Sequence, residues 1–499
     1  MKRVLFLAAL VAACTADVAR PSLEAARPPA PPPIPKAVAA GATPSFSSPL
    51  GGSGQDVFRD LRIEASGSII AVGNSLSANW PYGGSYGGWA DATVVRLSGL
   101  GQFLAGTRIG AAGYERAYGV ALAPDGDIVI AGRAGAGLPN LAGTFQPTFA
   151  GGGITSTYGA QDGFVCRLTP ALVVEWCSYV GVNDDAIVRD VGVDTAGDIY
   201  VIAGLNKNSH NYPAQYPVAP ASLPRTGNTD AVLVKVAGDG SVVRWLAYIS
   251  GSGIESGTPS LALQGDTCIV AVATNSTNLP GGPLHGATDM WVAAYAPDGA
   301  SRLWNHYVGG NGSEGQETNN LAVASDGTIY LGATTSSSDL PTAGSAFPVY
   351  AGSSTSGGNF FGDAAIWRIS PAGVVLGAVY YRGSPQPGAS GADGQEGIAV
   401  TDSAVAIAGT AMSKDLPQAL QWVGFGGQGD GFVAVFSRDL TTLYRGTYVT
   451  APGGRIDNAR AVAMAPNRLV VAGWSESGWP VINPLQPFGG AQDATLVIW

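Results

Sequence analysis

Two sets of carboxylates recur along this 499-residue chain and could support acid–base or metal chemistry. The first set opens a short apolar run seven times, at Asp91, Asp162, Asp230, Asp289, Asp363, Asp430 and Asp493. Each of these residues stands at a predicted loop-to-strand junction, where a carboxylate accepts backbone N–H bonds that the loop leaves unpaired. A catalytic residue is needed once, whereas a structural residue is needed in every repeat, so the recurrence favours a structural role.

A second acidic set falls in the segments that connect one repeat to the next: Asp56, Glu115, Asp185, Glu255, Glu317, Glu396 and Asp457. If these segments share one face of the fold, their side chains form an acidic ring that could hold Ca²⁺ through oxygen ligands. Glu255, Glu317 and Glu396 are the candidate ligands, and no other cofactor is expected. The alternative is that each carboxylate caps its own turn.

The long loops before the third strands of the repeats are unusually aromatic. Trp and Tyr beside Asn, Asp, Ser and Gly suit sugars or extended peptides, because flat rings stack on apolar faces while polar groups bind hydroxyls. Trp80 and Trp479 each stand just before a Pro, where we expect them to fill the space between blades. The candidate ligand-binding residues lie off that repeated position: Tyr82, Tyr86, Trp89 and Trp422.

The elements that position these residues recur at a period of about 50 to 70 residues, which is typical of a propeller or solenoid. In each repeat a short strand is followed by one rich in Ile and Val, by the strand that the Asp opens, and by a fourth strand. Tight turns such as Asp125-Gly126 and Asp326-Gly327 join them.

Only six fourth strands follow a third strand, because the sequence stops at Trp499 in the third strand of the last repeat. The segment from Thr43 to Gly52 has the pattern of a fourth strand and stands before the first repeat. The sequence therefore predicts an all-β, seven-bladed propeller of four-stranded blades over residues 43–499. Its last blade is closed by the N-terminal strand, Thr43 to Gly52, pairing with the C-terminal strand, which removes free sheet edges.

The repeats resemble the bacterial seven-bladed β-propeller repeat. The resemblance rests on the order of Gly-Gly, acidic residue, Asp-Gly turn and Asp-opened strand, and on Ser337-Ser338-Asp339-Leu340-Pro341 and Ser413-Lys414-Asp415-Leu416-Pro417. It covers essentially everything after Ser45. It implies the propeller fold and an extracellular or cell-envelope location.

The N-terminal region predicts export. Lys2 and Arg3 precede an apolar run from Val4 to Leu10, and Val11-Ala12-Ala13-Cys14 resembles a lipoprotein signal. We therefore expect a signal peptide over residues 1–13, a lipidated Cys14, and a Pro- and Ala-rich tether over residues 14–42. This predicts an outer-membrane lipoprotein, periplasmic or surface-exposed, that meets the membrane through its lipid. The alternative is ordinary secretion.

Charge and cysteine content narrow the classes of partner. The chain carries 36 acidic and 26 basic residues, without a basic stripe, which argues against nucleic acid. We expect a monomer. Cys166 and Cys177 fall on consecutive strands of one predicted hairpin and could form a disulfide in an oxidising compartment, the alternative being two buried thiols. Cys268 reads as a core residue.

No local catalytic motif such as Gly-x-Ser-x-Gly is present, and the three histidines lie outside any such pattern. The sequence therefore favours a non-enzymatic binding module that recognises a glycan, peptide or envelope protein through its aromatic loops. The alternative is an extracellular polysaccharide hydrolase or lyase that uses carboxylates at the propeller mouth.

Overall fold

The computed structural model describes residues 43–151, 158–182, 186–206, 212–226, 229–255, 258–315, 319–352, 362–384, 393–453, 455–476 and 478–499. These residues form seven antiparallel sheets and no helix. The sequence prediction of a seven-bladed β-propeller with four-stranded blades is confirmed. Among the described residues no helix is long and apolar enough to cross a membrane.

The blades follow one another along the chain, each from its innermost strand outward. Blade 1 contains β2 (Asp56–Ile63), β3 (Ile69–Ser75), β4 (Asp91–Leu97) and β5 (Phe103–Ile109). Blade 2 contains β6 (Arg116–Leu122), β7 (Ile128–Ala134), β8 (Asp162–Leu168) and β9 (Val174–Val180). Blade 3 contains β10 (Ala186–Val193), β11 (Ile199–Leu205), β12 (Asp230–Val236) and β13 (Val243–Ile249). Blade 4 contains β14 (Ser260–Gln264), β15 (Thr267–Thr274), β16 (Asp289–Tyr295) and β17 (Arg302–Val308).

The remaining blades depart slightly from this pattern. Blade 5 has a divided inner strand, β18 (Glu314–Gly315) and β19 (Leu321–Val323), followed by β20 (Ile329–Thr335), β21 (Asp363–Ile369) and β22 (Val375–Tyr381). Blade 6 contains β23 (Gly394–Val400), β24 (Ala404–Ala411), β25 (Asp430–Ser437) and β26 (Leu443–Val449). Blade 7 contains β27 (Asp457–Ala465), β28 (Arg468–Ser475), β29 (Asp493–Ile498) and β1 (Phe46–Leu50).

The ring closes as the sequence predicts. Strand β1 pairs antiparallel with β29, so that Phe46 lies opposite Ile498 and Leu50 lies opposite Ala494. All five residues of β1 are buried. The last blade is therefore built from both ends of the described chain, and its outer strand comes from the N-terminal side.

The second and third strands of each blade are covered on both faces by the neighbouring blades. Every residue of β7 and β8 is buried, for example. A strand buried on both faces is an unbroken apolar run rather than an alternating one, which explains the Ile- and Val-rich segments in the sequence. Within β8 and β9, Cys166 and Cys177 are directly opposite each other and joined by a disulfide, with their Cα atoms 4.1 Å apart. Cys268 is a buried free thiol.

The two faces of the ring differ in what they carry. The loop face bears the blade-to-blade connections and the long loops before the third strands, in blade 1 residues 110–115 and 76–90. The turn face bears the short hairpin turns, in blade 1 residues 64–68 and 98–102. The inner strands surround a central channel, whose wall toward the turn face encloses a cavity of about 440 Å³.

Five inner strands carry a β-bulge at the same level. The pairing register shifts by one residue in β2, β6, β10, β23 and β27. A bulge leaves one residue unpaired and re-aims its side chain. The residues that the pairing register skips are Arg59, Tyr118, Arg189, Glu396 and Arg460. The fold thus presents polar and charged side chains from its innermost strands.

Candidate functional site

The first set of carboxylates is structural in its geometry. Asp162 accepts hydrogen bonds from the backbone N–H groups of Ala150 and Gly151, at 2.6 and 2.9 Å. Asp430 likewise accepts one from Gly426 N–H at 2.5 Å. All seven of these Asp residues are buried. They tie the long loops to the third strands, so the loops on this face are held by the fold.

The second acidic set caps the blade-to-blade turns. Asp56 accepts hydrogen bonds from Gly52 N–H and the Ser77 hydroxyl, both at 2.7 Å. Glu255 accepts bonds from Gly251 N–H and the Thr274 hydroxyl, both at 2.9 Å. Their acceptor oxygens are thus directed to their own turns. Within the part of the chain that the structure describes, no three His, Cys, Asp or Glu side chains are arranged to hold a metal ion.

In blades 5 and 6 the capping residues are not the ones selected from the sequence. Glu314 accepts a bond from Gly310 N–H at 3.3 Å, and Asp393 accepts one from Gly383 N–H at 2.9 Å. Glu396 instead pairs with Arg460 at 2.9 Å. Glu317 lies outside the described residues, as does Asp185. The position of the capping carboxylate changes in blades 5 and 6 because the blade-to-blade connections differ in length.

At the blade junctions the two acidic sets meet. A side chain at Gly51 would place its Cβ 2.6 Å from both Asp493 Oδ1 and Asp56 Oδ2, so only glycine fits between the two carboxylates. Burial raises the pKa of Asp493 to about 6, and the neighbouring Asp56 carboxylate adds to that rise. Burial likewise raises the pKa of Glu115 to about 7, with a further contribution from Asp91. These carboxylates are therefore partly protonated near neutral pH.

The four predicted ligand-binding aromatics lie in different environments. Tyr82 is 6% exposed and packs on Trp80, with ring centroids 5.1 Å apart. Trp422 packs edge-on against Trp499, at the turn-face end of β29. Trp89 and Tyr86 are 44% and 39% exposed on the loop face. The Tyr86 hydroxyl donates a hydrogen bond to the carbonyl oxygen of Trp89 at 3.0 Å, so these two are held together.

Trp89 belongs to an aromatic lip formed by Trp89, Tyr114 and Tyr158. The rings of Trp89 and Tyr114 meet edge-on at 5.4 Å, and those of Tyr114 and Tyr158 lie 4.4 Å apart. Backbone pairing between the loops positions them, because Glu115 N–H donates to the carbonyl of Ala90 at 2.8 Å. Tyr114 lies two residues before the inner strand β6, which begins at Arg116. The lip therefore borders the channel on the loop face.

Beside the lip, four guanidinium groups converge on the ring of Tyr118. The carbon atoms of the guanidinium groups lie 4.6 to 6.0 Å from its centroid and belong to the arginine cluster, Arg59, Arg116, Arg133 and Arg189. Arg133 also lies 4.1 Å from the centroid of Tyr158. Blades 1, 2 and 3 each contribute to this cluster. The candidate site is thus the mouth of the channel, lined by arginine and bordered by aromatic rings.

Within the described residues, three guanidinium groups of the arginine cluster are short of acceptors. Arg133 is only 5% exposed, and no described residue accepts a hydrogen bond from its Nε or from Nε of Arg116 or Arg189. Arg116 donates to the hydroxyls of Tyr118 and Tyr114. No described carboxylate forms an ion pair with Arg116, Arg133 or Arg189. Leaving a buried donor unsatisfied costs about 1–3 kcal/mol.

The arginines also change the acidity of Tyr118. Burial is the largest influence and opposes ionisation of the phenol, but the charges of Arg189, Arg116, Arg133 and Arg59 together lower its pKa to about 6. Burial lowers the pKa of Arg116, and the charge of Arg133 lowers it further. A strongly positive field therefore fills the channel mouth.

Asn319 lies between the mouth and the cavity on the turn-face side, which it also lines. Asn319, at the break in the inner strand of blade 5, donates from Nδ2 toward the carbonyl oxygens of Arg59 and Tyr118, at 3.3 and 3.4 Å. It thereby connects blade 5 with blades 1 and 2 across the channel. A ligand entering from the loop face meets the arginine cluster above this crossing.

Sequence reasoning did not find the arginine cluster. Its members are on three blades, so no local motif unites them. One signal was present, because Arg-Asp recurs at the same inner-strand position as Arg59-Asp60 and Arg189-Asp190. Both Asp side chains accept a hydrogen bond from the inner strand of the next blade, Asp60 from Val120 N–H and Asp190 from Leu261 N–H, each at 2.9 Å. The preceding Arg is thereby presented at the channel.

The strand pairing and the channel mouth define a seven-bladed β-propeller with a cationic, aromatic-rimmed mouth. No protein-family model matches the chain, and no curated protein matches it. It is similar to solved structures only distantly.

Three such structures illustrate the similarity. A protein of unknown function from Dyadobacter fermentans shares 11% identity at a TM-score of 0.42, over 91% of this chain and 98% of that one. The β-propeller domain of the Trilobed protease from Pyrococcus furiosus shares 9% identity at 0.37, over 86% and 91%. The Pyrococcus horikoshii acylaminoacyl peptidase shares 10% identity at 0.39, over 85% of this chain and 50% of that protein. The chain thus spans half the length of that peptidase, and likenesses at this level carry no argument about function.

Proposed function

We propose that this protein is a lipid-anchored cell-envelope propeller that binds a glycan, without chemical turnover, at the mouth of its channel. The observation that carries the proposal is the aromatic lip of Trp89, Tyr114 and Tyr158 on the loop face. Trp89 is the most exposed of the three, and its ring stands beside buried polar groups. Such a surface stacks on the apolar face of a sugar while neighbouring donors bind its hydroxyls and acidic groups.

The position of β1 supports an outward orientation of the mouth. Phe46 lies opposite Ile498, at the turn-face end of the third strand, whereas Asp493 marks the loop-face end. A tether over residues 14–42 would therefore enter the propeller from the turn face. At about 3 Å per extended residue such a tether reaches tens of ångströms. The mouth lies on the opposite face, at the other end of the strands from this attachment point.

The carboxylates do not enter this proposal. Asp56, Glu115 and Glu255 use their acceptor oxygens to hold turns, and their burial keeps them from a bound sugar. A hydrolase or lyase would need carboxylates that face the substrate. The arrangement therefore supports a binding module rather than the enzymatic alternative.

The test is binding of purified full-length protein, in detergent, to a panel of acidic and neutral polysaccharides by calorimetry. Trp89→Ala is expected to weaken binding about fivefold to tenfold, since one aromatic contact contributes about 1 kcal/mol. Trp422→Ala is the matched control and is expected to leave the affinity unchanged. A loss with Trp422→Ala and none with Trp89→Ala would move the site off the mouth. Absence of binding across the panel would overturn the proposal.

A further inference from the structure

We propose that the arginine cluster at the channel mouth binds the carboxylate group of an acidic sugar, so that the ligand of this propeller is a uronate-containing polysaccharide. This inference rests on the proposed function and specifies its ligand.

Elsewhere the fold supplies each of several buried or half-buried cations with a carboxylate. The ion pairs are Arg108–Asp91 at 3.5 Å, Arg225–Asp230 at 2.9 Å, Lys235–Asp194 at 2.8 Å and Arg460–Glu396 at 2.9 Å. The described residues supply none to Arg116, Arg133 or Arg189, although the chain has a net charge of −10. The described residues therefore place no carboxylate beside these three arginines. Ionised Tyr118 offsets part of their charge, and an anionic ligand would offset the rest.

The pairing of strands makes this arrangement costly without a ligand. Arg116 on β6 and Arg133 on β7 are directly opposite each other in the antiparallel register. Like charges in that position repel each other and destabilise the sheet. Arg133 is in addition almost fully buried. A bound anion would offset the repulsion between Arg116 and Arg133, because both guanidinium groups could then donate hydrogen bonds to it.

The geometry favours a carboxylate on a sugar ring. A guanidinium group presents parallel N–H donors that match the two oxygens of a carboxylate. The aromatic lip lies next to the cluster, since Arg133 lies over Tyr158 and Tyr158 touches Tyr114. A sugar ring on the lip would direct its carboxylate toward Arg133. The crossing by Asn319 limits entry, which suits a chain end or a single projecting residue.

The experiment compares two forms of one polymer on the full-length protein. Polygalacturonate carries a carboxylate on each residue, whereas its fully methyl-esterified form keeps the rings and loses the charge. We expect polygalacturonate to bind at least tenfold more tightly. Arg133→Gln is expected to remove that preference. Arg189→Lys keeps the positive charge but loses the two parallel N–H donors of the guanidinium group, and it is expected to reduce the preference about tenfold, or by about 1.4 kcal/mol. Arg244→Gln is the matched control, since Arg244 is exposed and pairs with Asp198 on the outer part of blade 3.

The outcomes separate this inference from the proposed function. Equal binding of both polymers, with loss on Trp89→Ala, would leave a glycan-binding module and overturn the carboxylate assignment. Preferential binding of dextran sulfate, a sulfated polymer without uronate residues, would also overturn it. Binding of no polymer would overturn both. A melting temperature of each variant within a few degrees of the parent excludes misfolding as the cause of any loss.

Discussion

Arg116 and Arg133 are direct cross-strand neighbours in blade 2, and their guanidinium groups lie over the same three rings, Tyr114, Tyr118 and Tyr158. Two like charges thus share one aromatic enclosure at the innermost part of the propeller. A site arranged in this way lowers the stability of the fold and raises its affinity for anions.

Replacing Arg133 by an apolar residue of similar length should stabilise the fold. Arg133→Met removes a buried charge to which the described residues supply no carboxylate. At pH 5, where Tyr118 is protonated, the free energy of unfolding should rise by about 1 kcal/mol or more. Thermal unfolding measures the change. Arg108→Met is the contrasting variant, because Arg108 pairs with the buried Asp91 and its loss leaves that carboxylate alone. If both variants lower the melting temperature alike, Arg133 has a partner that the account does not include.

Tyr118 should titrate far below an ordinary tyrosine. Its pKa of about 6 reflects burial, which opposes ionisation, and the charges of Arg59, Arg116, Arg133 and Arg189, which outweigh it. Tyr114 and Tyr158 face the same arginines. Ultraviolet absorbance should therefore show one tyrosinate forming near pH 6, and Tyr118→Phe should abolish it. A bound carboxylate should raise this pKa, so binding near pH 6 should be accompanied by proton uptake.

The sign of the stability contribution of Tyr118 follows from the same shift. Because the folded pKa is lower than the unfolded value of about 10, ionised Tyr118 contributes stability that is lost as pH falls through 6. If every tyrosine titrates near pH 10 and Tyr118→Phe changes nothing, the arginine cluster does not act on this ring as described.

The buried carboxylates at the blade junctions should make stability change with pH in the direction opposite to that of Tyr118. The pKa of Glu115 rises from 4.5 to about 7 because of burial and of Asp91. The folded protein therefore binds more protons than the unfolded chain between these values, and stability falls as pH rises from 4.5 to 7. Glu115→Gln should flatten this fall. Denaturant unfolding of both proteins at pH 5 and pH 7.5 measures the difference, and parallel pH profiles would contradict the account.

Closure of the ring by β1 should be needed for stability. Deleting residues 43–52 exposes the outer edge of β29 and the apolar surface that Phe46 and Leu50 cover, which contribute about 1.5–3 kcal/mol each. The melting temperature should fall sharply. Deleting Pro28 to Pro33 from the predicted tether is the control and should leave it unchanged. A melting curve unaltered by the first deletion would contradict closure by β1.

The fold was predictable from the sequence because every blade repeats the same physical requirement. An Asp must hold each long loop to a third strand, and the second and third strands of each blade must be apolar on both faces. Both patterns therefore recur at the same positions in every repeat of the sequence. The acidic caps were harder to assign. Glu317 and Glu396 were selected where Glu314 and Asp393 hold the turns, because the length of each blade-to-blade connection sets which residue reaches the N–H groups.

The candidate site was predictable only in part. Trp89 was selected because it departs from the repeated pattern, and the structure places it on the lip of the channel mouth. The arginine cluster depends on bulges in three inner strands and on contacts between blades 1, 2 and 3. Such contacts are set by the closed ring and leave little trace in any one segment. Arg-Asp at residues 59–60 and 189–190 was that trace.

The most direct test is a crystal structure of the protein with a short oligogalacturonate. The account predicts that the carboxylate of one sugar lies about 3 Å from guanidinium nitrogens of Arg133 and Arg189, with a sugar ring against Trp89. A sugar bound instead beside Trp422 on the outer side of blade 6, with the channel mouth empty, would contradict it.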